Sequence, residues 1–392
     1  MSSCDRIPPG RSPGPKLKSS AFIVGLFALL ASAGCGGGSP GNGGGGPVAA
    51  SVIGTIAVGT GPEGIDVDPT SNNVYVVNSP PPSPICSPSD VPGVVAWIDA
   101  TTDTQAGTSN SLSPFEVSEP SGAVTAGPIA VQIDASTNQA YIAVDGVQCT
   151  LPDDKPLWGG SSVVAFDLAT QTATVIWSPG LLPYLFEPGA IGVNASTGKI
   201  YAADDSGSII VIDIATGSPI ALTDPGTEPV AIAVNSATSK VYVANFQSGN
   251  ITVVDGATNV LSTITDPKAV NPTGLAINQT TNTIYVTNSG SNNVTVIDGQ
   301  TDSVVSTVPV GTFPIAVAVN PQTNFVYVAN HGNSNANNPG SVSVIDGATN
   351  TTTTLTDPKA IGPISVAANS VTNKIYVANY GSNNVTVIDG AQ

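Results

Sequence analysis

Histidine is almost absent from this chain of 392 residues, in which His331 is the only one. The four cysteines, Cys4, Cys35, Cys86 and Cys149, form no CxxC pair and no CxxCH haem-attachment motif. Zinc and similar metal sites need several Cys or His ligands, so this inventory excludes them. It also argues against metal-free catalysis that relies on His and Arg.

Basic residues are scarce as well. The chain has 10 basic and 27 acidic residues, and four of the basic ones lie before position 35. Six basic and 26 acidic residues follow, a net charge of about −20. Such a charge opposes binding to nucleic acid and to anionic lipid head groups, whose affinity comes from Lys and Arg. We therefore expect no nucleic-acid partner, and simple solubility is the plainest role for the charge.

Long apolar runs are missing too, since the apolar segment 21–30 is too short to span a bilayer as a helix. It follows several basic residues and precedes small residues at 32–34 and Cys35. This arrangement resembles a bacterial lipoprotein signal, in which the cysteine is lipidated and becomes the first mature residue. Ordinary secretion with a cleavage site nearby is the alternative.

These features divide the chain into three parts. We expect a signal at 1–34, a lipidated glycine-rich tether at 35–47 and one folded body at 48–392. The protein is then exported and anchored by lipid to the bacterial cell envelope, at the outer membrane or the cell surface.

One spacing recurs seven times in the folded body: a proline is followed thirteen residues later by a tyrosine. An Asp or Asn stands six residues after each proline. A fixed internal period indicates one supersecondary unit that is repeated. The pairs are Pro62/Tyr75, Pro128/Tyr141, Pro188/Tyr201, Pro229/Tyr242, Pro272/Tyr285, Pro314/Tyr327 and Pro363/Tyr376.

Each unit predicts four short strands with turn residues between them, which is typical of a β-propeller blade. The fold class is therefore all-β, with seven blades. The seventh unit ends after its third strand, and residues 51–58 match the pattern of an outer strand. We predict that this N-terminal strand completes the last blade and closes the ring.

The stretch NTIYVTN at 282–288, followed by SGSNNVTVIDG at 289–299, resembles the YVTN family of β-propeller repeats. Residues 373–390 nearly repeat it. The resemblance is strong over 188–392 and weaker over 48–187. It implies a propeller like those of YncE-like exported bacterial proteins and archaeal surface-layer proteins, whose signature residues build blades rather than sites.

Interruptions of the repeat mark where a binding site is expected. Insertions occur after the Tyr strand at 79–93, 146–161 and 331–340, and long segments at 100–127 and 178–187 lead into inner strands on the same face. Cys86 and Cys149 fall in equivalent insertions, so we predict a disulfide between them in an oxidising compartment, with two unpaired thiols as the alternative. Trp158 gives the second of these loops an aromatic contact.

Polar residues near the start of the inner strands, together with two aspartates after a Tyr strand, predict an acidic mouth at the same face. Such a mouth suits Ca²⁺ or a cationic ligand, and no other cofactor is expected. The candidate residues are Glu63, Asp66, Gln132, Glu187, Asp204, Asp205 and Glu228.

Function is less determined than fold. The leading hypothesis is a non-enzymatic envelope lipoprotein whose propeller binds protein or polysaccharide or serves as a scaffold. An exported lactonase or hydrolase with carboxylates near Glu63 and Asp66 is one alternative, and a surface-layer structural component is another.

Overall fold

The structure, a computed structural model, describes residues 49–79, 94–108, 127–145, 162–178, 188–204, 207–332 and 339–392. It also describes the backbone alone of four short strands at 116–119, 122–125, 148–150 and 156–158, and of residues 145, 188, 189 and 204.

Seven four-stranded antiparallel sheets form a ring, which confirms the predicted all-β seven-bladed propeller. Blade 1 consists of β2 to β5, blade 2 of β8, β9, β12 and β13, and blade 3 of β14 to β17. In chain order the strands up to this point are β1 (Ser51–Ala57), β2 (Pro62–Asp68), β3 (Asn73–Asn78), β4 (Val94–Asp99), β5 (Thr104–Thr108), β6 (Glu116–Glu119), β7 (Gly122–Thr125), β8 (Gly127–Asp134), β9 (Gln139–Asp145), β10 (Gln148–Thr150), β11 (Pro156–Trp158), β12 (Ser162–Asp167), β13 (Ala173–Trp177), β14 (Pro188–Asn194), β15 (Lys199–Asp204), β16 (Ser208–Asp213) and β17 (Pro219–Thr223).

Blades 4 to 6 follow regularly as β18 to β21, β22 to β25 and β26 to β29, and blade 7 contains β30 to β32. A 3-10 turn (Tyr380–Ser382) joins the last two strands. The strands are β18 (Pro229–Asn235), β19 (Lys240–Asn245), β20 (Asn250–Asp255), β21 (Leu261–Thr265), β22 (Pro272–Asn278), β23 (Thr283–Asn288), β24 (Asn293–Asp298), β25 (Ser303–Pro309), β26 (Pro314–Asn320), β27 (Phe325–Asn330), β28 (Ser341–Asp346), β29 (Thr352–Leu355), β30 (Pro363–Asn369), β31 (Lys374–Asn379) and β32 (Asn384–Asp389).

The N-terminal strand closes the ring as predicted. β1 pairs antiparallel with β32, with Ser51 opposite Asp389 and Ala57 opposite Asn384. The inner strand of blade 1 contacts the inner strands of both blade 2 and blade 7. An otherwise exposed sheet edge is thereby covered by the opposite end of the chain.

Hydrophobic clusters occupy each of the seven interfaces between neighbouring blades, so the core is divided around the ring. The repeated tyrosines are buried in these clusters, which confirms that they are packing residues. The inner strands place apolar side chains three and five positions after the proline, and in five of the seven strands the residue between them is Ala or Gly, which suits close packing near the axis.

The inner strands begin at one end of the ring, which we name the loop face, and end at the other, the turn face. Connections between the second and third strands and between blades lie on the loop face. Tight turns lie on the turn face, where the side chain of the Asp or Asn that ends an inner strand accepts hydrogen bonds from its own turn, as Asn235 does from the Ala237 N–H at 3.1 Å.

The turn-face asparagines also tie successive blades together. Nδ2 of Asn235, Asn278, Asn320 and Asn369 donates to Oδ1 of an asparagine in the next blade, over 2.6–2.8 Å. Each acceptor has a left-handed backbone, which asparagine tolerates well. The acceptors are Asn282, Asn324, Asn373 and Asn72.

The interface between blades 3 and 4 lacks this bond. Asn194 Nδ2 is buried without a hydrogen-bond partner among the described residues, and Ser239 occupies the acceptor position with φ 56°. We expect Ser239→Asn to raise the free energy of unfolding by about 1 kcal/mol, because it supplies the acceptor and suits the left-handed backbone.

Urea unfolding followed by circular dichroism measures this change. The reverse substitution at a complete interface, Asn282→Ser, is the matched control and should cost a similar amount by leaving Asn235 Nδ2 without its acceptor. Equal stability of the wild type and Ser239→Asn would contradict the view that the interface between blades 3 and 4 lacks a hydrogen-bond acceptor at position 239.

Candidate functional site

The mouth of the ring on the loop face is built from pairs of residues that share one backbone hydrogen bond. In each pair, the residue that follows the second strand donates its N–H to the carbonyl of the residue that precedes the blade's proline. Five pairs are described: Ser79 with Gly61, Phe246 with Glu228, Ser289 with Asn271, His331 with Phe313, and Tyr380 with Gly362, at 2.7–3.0 Å.

The residue before the proline has a left-handed backbone in all five pairs. Gly61, Asn271 and Gly362 suit this conformation. Glu228 at φ 57° and Phe313 at φ 55° do not, and a bulky side chain there costs roughly 1–2 kcal/mol. Strain of this kind is often retained at functional positions.

Two of the predicted mouth residues, Asp66 and Gln132, come together between blades 1 and 2. One carboxylate oxygen of Asp66 accepts the Ile133 N–H at 2.7 Å and the Gln132 amide at 3.0 Å, and the other accepts the Val67 N–H at 2.8 Å. The corresponding position of the other five inner strands is Ala or Gly. Asp66 therefore joins two inner strands through a carboxylate.

Burial, more than the charge of Asp68, raises the pKa of Asp66 to about 6 although its backbone hydrogen bonds favour the ionised form. A raised pKa in the fold means that stability is lost as pH rises from about 4, where the unfolded carboxyl ionises, to about 6. The side chain keeps partial contact with water, which reduces the effect below the full ~3 kcal/mol of two pH units.

We expect Asp66→Asn to abolish this pH dependence. Relative to the wild type, the free energy of unfolding of the variant should increase by roughly 1–2 kcal/mol as pH rises from 4 to 7.5. Urea unfolding at both pH values measures the gain. Asp213→Asn is the control of opposite sign, because a hydrogen bond from the Thr216 hydroxyl lowers the pKa of Asp213 in the fold. A parallel pH dependence in the wild type and Asp66→Asn would contradict the role of Asp66.

Glu63 and Glu228 lie in separate parts of the mouth. Glu63 is partly exposed and lies in β2 where the register shifts between Pro62 and Gly64. Burial, and to a smaller extent the charge of Glu63, raises the pKa of Tyr380 in blade 7. Glu228 lies in blade 4, where burial raises its pKa. Within the described ranges, no three His, Cys, Asp or Glu side chains converge as a metal site requires.

Three other predicted residues belong to strands whose backbone positions are described. Asp204 lies in β15 opposite Ser208, and Cys149 and Trp158 lie in the β10–β11 hairpin, where the backbone alone is described. The disulfide, the lipidation and the remaining acidic positions stay predictions. Cys35, Cys86, Glu187 and Asp205 lie outside the described residues.

Three aromatic rings on the loop face were not predicted. His331 Nε2 and Cδ2 lie 3.1 and 3.5 Å from where a Cβ on Gly362 would be, and the Tyr380 ring lies 3.5 Å from the corresponding point on Gly61. The Phe313 and His331 rings meet edge to face, with centroids 6.2 Å apart. We name Phe313, His331, Tyr380 and Glu63 the rim arc; it spans blades 6, 7 and 1.

An alignment of the seven repeats contains the signal for this arc. His331 and Tyr380 each stand four residues after the repeated tyrosine, and Phe313 stands directly before the repeated proline. Aromatic residues at those offsets predict a ring of side chains around the mouth once the register of the blades is known.

A second unpredicted feature lies in the connections between blades. Asp224, Asp266 and Asp357 each occur in a Thr-Asp-Pro sequence after an outer strand and are buried. Each accepts a hydroxyl hydrogen from the third strand of the next blade: Thr252, Thr295 and Thr386 at 2.5–2.7 Å. These carboxylates hold neighbouring blades together on the loop face.

Known proteins add no further assignment. Neither a scan against protein-family models nor a search of curated proteins found a match. Within the described residues, no helix has the length and apolar character needed to cross a bilayer.

Proposed function

We propose that the protein is an exported lipoprotein, anchored through Cys35, whose loop face binds a protein or polysaccharide of the cell envelope. A β-propeller is in general a binding or scaffold module. To this general role we add export to the cell envelope, a lipid anchor at Cys35 and the loop face as the binding surface.

One observation supports the choice of face above the others. The structure describes two hairpins besides the seven sheets, and both belong to connections on the loop face. β6 and β7 lie between blades 1 and 2, and β10 and β11 lie between the second and third strands of blade 2. Additions to a regular scaffold on one face are typical of a recognition surface.

The anchor is tested by metabolic labelling in a bacterial host with a radioactive fatty acid. The full chain should incorporate label and partition into detergent, and Cys35→Ser should lose both while remaining exported. Equal labelling of the two chains would contradict lipidation at Cys35.

The binding face is tested by shortening one elaborated connection. Residues 146–161 are replaced by the four residues 246–249, which make the same connection in blade 4. Residues 256–260 on the turn face are replaced in a control by 299–302 from blade 5. Binding to immobilised envelope polysaccharides and purified envelope proteins is measured for all three chains.

We expect the loop-face replacement to weaken the strongest interaction at least tenfold and the turn-face replacement to leave it unchanged. Undiminished binding by the loop-face variant, or an equal loss in the control, would contradict the proposal.

A further inference from the structure

We propose that the ring opens locally at the interface between blades 3 and 4, while the interface between blades 4 and 5 stays closed. Three contacts that join blades 4 and 5, two on the turn face and one on the loop face, are absent or incomplete between blades 3 and 4. The inference goes beyond the proposed function and does not depend on it.

The first missing contact is the asparagine pair of the turn face. Asn235 Nδ2 donates to Asn282 Oδ1 at 2.8 Å between blades 4 and 5. Between blades 3 and 4, Asn194 Nδ2 is buried without a partner among the described residues, because Ser239 stands where the acceptor would be. A buried donor left unpaired makes the closed interface less favourable, and it regains a hydrogen bond with water when the interface opens.

The second missing contact is a carboxylate that joins two side chains of the neighbouring blade. Asp302 accepts from Lys240 Nζ at 2.7 Å and from the Tyr242 hydroxyl at 2.8 Å. The corresponding residue of blade 4 is Asn259. Its Oδ1 and the Tyr201 hydroxyl are both buried and have no hydrogen-bond partner in the described part of the chain. The lysine of blade 3 bonds a backbone carbonyl there at 3.0 Å, and no carboxylate joins it.

The third difference concerns the Thr-Asp-Pro carboxylates of the loop face. Asp266 Oδ2 accepts from both Thr295 and Thr307, at 2.7 and 3.1 Å. Asp224 Oδ1 accepts from Thr252 at 2.5 Å, but its Oδ2 is buried and unpaired within the described ranges. The outer strand of blade 5 thus contributes a hydroxyl to its carboxylate, whereas the outer strand of blade 4 does not.

Backbone strain favours opening at the same interface. Residues 224–228 connect blade 3 to blade 4, and Glu228 has a left-handed backbone with φ 57°. The corresponding residue between blades 4 and 5 is Asn271, and asparagine tolerates this conformation well. Movement of blade 3 away from blade 4 lets the first connection relax, so opening releases strain that the second connection does not hold.

Apolar packing does not compensate for these differences. Nine buried residues form the core of each of the two clusters, and in both clusters one of the nine is a tyrosine and the others are aliphatic. The two interfaces therefore differ in polar contacts and in backbone strain rather than in the kind of apolar surface that they bury.

Opening at this interface parts the ring without unfolding a blade. Blades 3 and 4 are separate four-stranded sheets, so each keeps its own strand ladders when the two move apart. Buried side chains of the cluster between them then meet solvent, which makes the opening measurable.

Thiol labelling of the full chain under native conditions tests the proposal. Val243→Cys and Val286→Cys each introduce a thiol at equivalent, fully buried positions of the two interfaces. Iodoacetamide modifies a thiol when it reaches solvent, and peptide mapping separates the introduced cysteine from the native ones. We expect the Val243→Cys chain to be labelled at the introduced position at least tenfold faster than the Val286→Cys chain.

Exchange of residues between the two interfaces supplies the controls. Ser239→Asn with Asn259→Asp adds the two contacts of the turn face and should slow labelling of the blade 4 thiol at least tenfold. Asn282→Ser with Asp302→Asn removes the same contacts between blades 4 and 5 and should speed labelling of the blade 5 thiol by a similar factor.

Urea unfolding of every variant guards against loss of fold. The free energy of unfolding gives the labelling rate expected from global unfolding, and only faster labelling counts as local opening. Equal labelling of the two thiols, or labelling of the blade 4 thiol at the rate of global unfolding, would overturn the proposal. An unchanged rate at the blade 4 thiol after Ser239→Asn with Asn259→Asp would overturn it as well.

Discussion

Removal of residues 1–58 is expected to lower the free energy of unfolding by about 5 kcal/mol, whereas removal of residues 1–48 leaves it nearly unchanged. The longer deletion removes β1 together with the fully buried Val58. It uncovers one edge of β32 and part of the cluster that contains Val385 and Val387. The value combines the loss of the buried Val58 side chain, the partly buried Val52 and Ile56 side chains and a ladder of strand hydrogen bonds.

The two truncated chains are compared by urea unfolding. A synthetic peptide of residues 49–58 should restore stability to the shorter chain in a concentration-dependent manner, because the peptide binds the folded state alone. Equal stability of the two chains, or failure of the peptide to restore the loss, would contradict closure by β1.

Replacement of Asp357 by alanine is expected to cost about 3 kcal/mol, the second largest effect. Its carboxylate accepts hydroxyl hydrogens from Thr386 in β32 at 2.7 Å and from Thr55 in β1 at 3.0 Å. It also accepts the Lys359 N–H at 2.9 Å. The substitution removes a charged acceptor and leaves buried donors without partners, which is the costly case.

Asp266 provides the matched control, because it accepts from Thr295 and Thr307 in the same arrangement between blades 4 and 5. Asp266→Ala should cost a similar amount in the full chain. In the chain without residues 1–58, the cost of Asp357→Ala should fall by about 1 kcal/mol because Thr55 is absent, and the cost of Asp266→Ala should not change. An unchanged Asp357→Ala cost in that chain would contradict the link to β1.

The ring was predictable from sequence because its determinants are local and repeated. The interval from Pro62 to Tyr75 recurs wherever an inner strand, a turn and a second strand must fit the same wedge of space. The role of Ser51–Ala57 followed from one missing outer strand in the last unit. Repeat and register were enough to establish the fold.

The site was predicted only in part, because its contacts join different blades. Asp66 and Gln132 were placed on the correct inner strands, but their shared hydrogen bond depends on the stagger of neighbouring blades. Tyr380 and Glu63 lie 317 residues apart in the chain, and closure of the ring brings them near enough for the charge of Glu63 to raise the pKa of Tyr380 in addition to burial. The Thr-Asp-Pro carboxylates resemble ordinary turn residues in sequence, and their burial becomes evident only in the assembled ring.

Closure of the ring by β1 is the central claim, since the rim arc joins blades 6 and 7 to blade 1. Disulfide trapping tests it most directly, with cysteines at Thr55 and Thr386, which lie directly opposite each other. The pair Thr295 and Thr307 has the same relation within blade 5 and is the positive control; Thr307 with Thr386 joins different blades and is the negative control. After mild oxidation and peptide mapping, we expect a 55–386 cross-link as abundant as the 295–307 cross-link. Its absence while the 295–307 cross-link forms would contradict closure of the ring by β1.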